Sequence, residues 1–80
     1  MVMTNLEKYN AAFCETLNVE EAQLADLKYQ AIPEWDSVGH MSLVAAIEDA
    51  FDIMMETDDI IDLSSYAKGK EILKKYEVEI

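Results

Sequence analysis

Eighty residues contain one proline, Pro33, and two glycines, Gly39 and Gly69. That scarcity of breakers constrains the fold more than any motif does. Apolar side chains recur at spacings of three and four nearly throughout, the pattern of helices that each bury one face. Thr4 followed by Glu7 reads as a capping box opening a first helix, on which Leu6, Tyr9, Phe13 and Leu17 share a face. Residues 18–35 break the rhythm: Leu24, Leu27, Tyr29 and Ile32 are scattered anchors, and Pro33 disfavours helix just before it. A connection of that length is uncommon in a compact domain and often functional. A second helix is expected from Ser37 to Phe51. Thr57 can cap a short helical turn containing Ile60 and Ile61, and Ser64 or Ser65 a last helix presenting Ile72, Leu73 and Tyr76. Gly69 inside that last helix implies close packing. "EVEI" at 77–80 alternates but is too short to make a sheet. The expected fold is all-α: a small bundle of three longer helices and one short one, with a long loop between the first and second. Residues 1–80 form one domain, because a chain of this size buries only about 60% of its unfolded surface and can build one core but no deep cleft.

Charge narrows the function. Seventeen acids against six lysines, with no arginine, give a formal net charge of -11. Phosphate neutralisation on nucleic acid is excluded as a binding mode, and an anionic membrane surface would repel the chain. A macromolecular partner should offer a basic patch, with an association that weakens in salt. From Tyr29 to Ala67 there are nine acids and no lysine; this is either a solvated face or a docking face in the middle of the chain. Cys14 is the single cysteine, so no internal disulfide or multi-cysteine metal site can form, and its apolar neighbours make it a small core residue. No stretch approaches the roughly 18 apolar residues of a membrane span. The opening "MVMTNLEKYN" lacks the apolar run of a signal peptide, so the expected compartment is the cytoplasm.

The second helix carries two apolar stripes. Leu43, Ile47, Ala50, Phe51 and Met54 make one of the ordinary core kind; Val38, Met41 and Ala45, with Glu48 and Asp49 beside them, make another on a different side. Either both stripes are buried, or the second is an apolar partner site to which methionine is well suited. Ser37 stands at the first turn, where unpaired N–H groups and the helix dipole favour an attached phosphate; Ser37 or Asp36 can equally be a plain N-cap. Enzyme readings fail. A G-x-S-x-G elbow is broken by Trp35, His40 is the lone histidine with no oxyanion hole in view, and "DIMMETDDIIDL" lacks the glycine and alternating ligands of a calcium loop.

"EWDSVGHMSLVAAIEDAFDI" resembles the carrier-protein superfamily, and within it the free-standing acyl carrier proteins. These share a D-S-hydrophobic motif opening the second helix, here Asp36-Ser37-Val38. An apolar-rich stretch follows that ends in acids and phenylalanine, here Met41, Leu43, Val44, Ile47, Glu48, Asp49 and Phe51. The likeness covers nearly the whole chain, including the long first loop and the serine-capped last helix. It implies that Ser37 carries 4'-phosphopantetheine, transferred from coenzyme A by a phosphopantetheinyl transferase, with acyl groups held as thioesters on the terminal thiol. It implies further that Asp36, Val38, Met41, Ala45, Glu48 and Asp49 face partners. Those partners would be acyl-loading and acyl-processing enzymes with basic patches, served by a monomeric, non-enzymatic carrier.

Some positions depart from the familiar fatty-acid carriers. Val38 replaces a usual leucine, and Gly39 and Ser42 stand where acids are frequent, two and five residues after the serine. "W-D-S-x-G-H" looks more like discrete carriers of polyketide-like, lipid-modifying or surface-sugar pathways. An aminoacyl, D-alanyl or peptidyl carrier using the same arm is the nearest rival, although peptidyl carriers typically have glycines before the serine and a less acidic face. From another class, the rival is an unmodified acidic helical adaptor.

Overall fold

The computed structural model describes residues 4–80. Four α-helices form: α1 (Asn5–Leu17), α2 (Ser37–Phe51), α3 (Thr57–Asp62) and α4 (Tyr66–Lys74). A 3-10 helix over Glu21–Asp26 lies in the long connection. Among the described residues the sole β-type pairing is one isolated bridge, Lys28 with Ser65, so the fold is all-α.

α1 opens as its sequence predicts: the Thr4 hydroxyl accepts from Glu7 N–H while the Glu7 carboxylate accepts from Thr4 N–H. Tyr9, Ala12, Phe13 and Leu17 form its buried face, whereas Leu6, expected on that face, is 40% exposed. Tyr9 and Phe13 meet Trp35 and Tyr66 in a cluster of edge-on and tilted rings with centroids 4.9 to 5.5 Å apart, the arrangement that ring quadrupoles favour. The Tyr9 hydroxyl donates to the Tyr66 carbonyl at 2.6 Å, and burial pushes its phenol far above the ordinary value, keeping it a donor. Gly69 explains itself here. A Cβ at that position would stand 2.0 Å from Tyr9 Oη and 2.9 Å from Leu63 Cδ1, so α4 reaches the tyrosine only without a side chain there. Cys14 is half-buried at the edge of this core.

Three further details differ from expectation. The long connection contains a helical turn, with Glu20 N–H held by the Gln23 side chain at 2.9 Å; Leu24 and Leu27 are its buried anchors. α2 stops at Phe51 because Asp52 adopts the left-handed conformation of a C-cap (φ 52°), which aspartate tolerates. Met54 therefore leaves the core stripe and is 85% exposed, and Met55 takes the buried place. α3 begins at Thr57 itself, after Glu56, so Thr57 is a first-turn residue and not the cap. Ser65 does cap α4, accepting from Lys68 N–H at 3.0 Å.

Candidate functional site

The start of α2 is built by its own sequence and by the loop before it. Asp36 is the N-cap: its carboxylate accepts Gly39 N–H at 2.8 Å and its carbonyl accepts His40 N–H at 2.7 Å. Ser37 is thus the first helical residue, exposed, and free of capping duty. Gly39 sits where a Cβ would fall 1.9 Å from the Glu34 carbonyl oxygen. The loop folds tightly over the first turn, so no acidic side chain can occupy the position two residues after the serine.

Trp35 and His40 pack against each other behind the start of α2. Trp35 is fully buried, and its Nε1–H donates to His40 Nδ1 at 2.9 Å. With Nδ1 accepting, the imidazole carries its hydrogen on Nε2 and donates it to the Ile60 carbonyl at 2.7 Å. One ring thus ties the connection, α2 and α3 together.

Beside Ser37 runs a groove of about 340 Å³, at the lower end of the roughly 300–1,000 Å³ typical of small-molecule sites. Tyr29 from the connection and His40 and Met41 from α2 form one wall; Ile60, Ile61 and Leu63 form the other. Ser37 and Ser64 complete the lining. The Tyr29 hydroxyl lies 3.3 Å from Ser37 Oγ. From the sequence, Tyr29 is readable only as an apolar anchor. No spacing rule shows its hydroxyl facing the serine, because the chain between them is a run of turns and bends with no regular period. Ile61, 72% exposed, was likewise readable only as an apolar residue of a short turn.

The remaining predicted positions divide. Val38, Met41, Ala45 and Asp49 are all exposed on α2, with Val38 at 76%. Glu48 is half-buried and its carboxylate accepts Met55 N–H at 2.8 Å, so it braces the turn after α2. α3 is braced at its other side as well. Buried Asp59 takes an ion pair from Lys75 at 2.5 Å and a hydrogen bond from the Tyr76 hydroxyl, which itself accepts Glu56 N–H at 2.9 Å. These partners, Lys75 first and Tyr76 second, hold the Asp59 carboxyl below its ordinary value of 3.8.

Among the described residues no group of three or more His, Cys, Asp or Glu side chains is placed to hold a metal ion, and no helix is long and apolar enough to cross a membrane. Comparisons with protein-family models, curated proteins and solved structures find no match for the chain.

Proposed function

We propose that this chain is an acyl carrier protein acting in the cytoplasm, with 4'-phosphopantetheine attached at Ser37. The observation that carries the reading is the setting of Ser37: an exposed first-turn hydroxyl, excused from capping by Asp36, at the rim of a mostly apolar groove. A transferase needs to reach that hydroxyl, and the long arm needs somewhere to lie close by. The residues present fit the group. Ser37 Oγ would be the ester oxygen, Tyr29 offers a hydroxyl, and His40, Met41, Ile60, Ile61 and Leu63 offer a largely apolar surface suited to an acyl load. When bound, the group supplies a thiol that holds an acyl chain as a thioester.

The chain's own residues do the rest. Val38, Met41 and Ala45 form the apolar centre of a partner face on α2, with Asp36 and Asp49 at its margins. Charge of this sign steers the carrier to basic patches on successive enzymes, and solvent-exposed pairs of this kind are weak enough to release. Glu48 supports that face by holding the turn at Met55 in place. The test is the intact mass after incubation with coenzyme A and several broad-specificity phosphopantetheinyl transferases, with Ser37→Ala alongside. One phosphopantetheinyl group gained by the wild type alone is the expected result. No gain by a folded wild type with any transferase overturns the reading and leaves the unmodified acidic adaptor. Loading of the armed protein with acyl against aminoacyl donors then separates the acyl carrier from an aminoacyl or D-alanyl one.

A further inference from the structure

We propose that the Tyr29 hydroxyl is a second, non-covalent anchor for the group on Ser37, donating a hydrogen bond to its phosphodiester and turning the arm over the groove between α2 and α3. This inference rests on the carrier reading of Ser37. Tyr29 Oη stands 3.3 Å from Ser37 Oγ, and while Ser37 is a free alcohol either oxygen can donate. Esterification removes the serine's hydrogen, which leaves the contact one polarity. The tyrosine then donates, to the ester oxygen or to an anionic oxygen on the same phosphorus. A donor facing an anionic oxygen makes a shorter and stronger bond than a neutral pair does.

The surroundings make Tyr29 a fixed donor. Its backbone N–H is bonded to the Ser64 carbonyl at 2.9 Å, and its ring stands edge-on to His40 and Trp35, with centroids 5.3 and 6.2 Å away. His40 is itself held at both nitrogens. The usual resources for an anion at a helix start are meanwhile reduced. Gly39 N–H is taken by the Asp36 carboxylate and His40 N–H by the Asp36 carbonyl, and no lysine occurs from Tyr29 to Ala67. A phosphodiester here has an aspartate as chain neighbour and depends on neutral donors. The side chain set against Ser37 Oγ is Tyr29, which also walls the groove. A bond at that corner starts the arm along Ile60 and Ile61, away from the exposed Val38 side of α2.

The experiment attaches the arm enzymatically to wild type, Tyr29→Phe and Ser64→Ala, then records the 31P resonance and the proton cross-peaks between arm and protein. Tyr29→Phe keeps the ring and removes one oxygen. The wild type should show a 31P shift distinct from that of the same protein unfolded in urea, with cross-peaks from the arm to the Tyr29 ring and the Ile60 and Ile61 methyls. Tyr29→Phe should move the 31P resonance toward the unfolded value and lose the isoleucine cross-peaks, while Ser64→Ala keeps both. Identical 31P shifts and cross-peaks in wild type and Tyr29→Phe overturn the inference and leave the carrier reading intact. Failure of the wild type to accept any arm overturns both. If Tyr29→Phe does not fold, the wild-type spectrum decides: absence of cross-peaks between the Tyr29 ring and the arm overturns the inference.

Discussion

Around Trp35, rings from α1, the long connection and α4 meet edge to face with almost no solvent contact. The six residues of α3 sit in a frame of polar ties: His40 to the Ile60 carbonyl, Lys75 and Tyr76 to Asp59, Tyr76 to Glu56 N–H, and Glu48 to Met55 N–H. Isolated helices shorter than about 12 residues are marginal in water, so α3 exists because those ties hold it. The contrast is between a closed core and an open surface. Apolar packing is non-directional and closes the core against everything, whereas directional bonds hold a short helix at its ends and leave its flank, with Ile60 and Ile61, open beside Ser37.

Substitutions should separate the two regions. Trp35→Ala removes the largest fully buried side chain and should cost about 3–5 kcal/mol, a large share of the roughly 4–12 kcal/mol that a domain of this length commands. Urea denaturation should show it unfolded or nearly so, with both regions lost together. Gly69→Ala comes next. An exposed helix interior would gain about 1 kcal/mol from that change, but the new methyl meets Tyr9 Oη, so overpacking of about 1–3 kcal/mol should reverse the sign. A lower urea midpoint with unchanged slope is the expected record.

Asp59→Asn should act on the polar frame alone. The folded-state value of Asp59 is depressed, so its stabilisation is complete above the ordinary 3.8 and lost as pH falls through the lower folded value. Lys75 is raised from 10.5, chiefly by its hydrogen bond to Asp59, so its share is complete below 10.5 and lost as pH rises through the folded value. Thermal melts across pH should show both flanks in the wild type and neither step from this pair in Asp59→Asn. Amide exchange should quicken at α3 while Tyr9 and Phe13 stay protected. The smallest effect on stability belongs to Met41→Ser on the exposed face, within about 0.5 kcal/mol. The same change should weaken binding to a transferase clearly, as measured by titration calorimetry at low salt.

The same contrast decides what could be read from the chain. α1, the span of α2 and the cap at Ser65 follow from periodicity and local capping chemistry, which act over three or four residues. Met54 was misassigned because periodicity does not say where a helix stops, and the left-handed Asp52 stops it. Gly39 looked like an acid missing from a docking face, and its reason is a carbonyl five residues back. The roles of His40 and Trp35 are not readable from local pattern at all. Their bond, and the one from His40 to Ile60, twenty residues further along, belong to tertiary structure that no window of sequence contains. The start of α2 is local, but the sequence leaves open whether Val38 and Met41 are buried, and the groove beside them is hidden from it because α3 and the connection build it jointly.

The central claim is that Ser37 carries an arm, and lysine spacing makes it directly measurable. Trypsin should release Tyr29–Lys68 as one peptide, since no lysine or arginine lies between Lys28 and Lys68. That peptide also contains Ser42, Thr57, Ser64 and Ser65 as competing hydroxyls. Fragment-ion mass spectrometry of this peptide, from protein purified out of the cells that make it, should find a phosphopantetheinyl group on Ser37 and on none of the others. A peptide that is always unmodified, or modified at another hydroxyl with Ser37 free, would contradict the account.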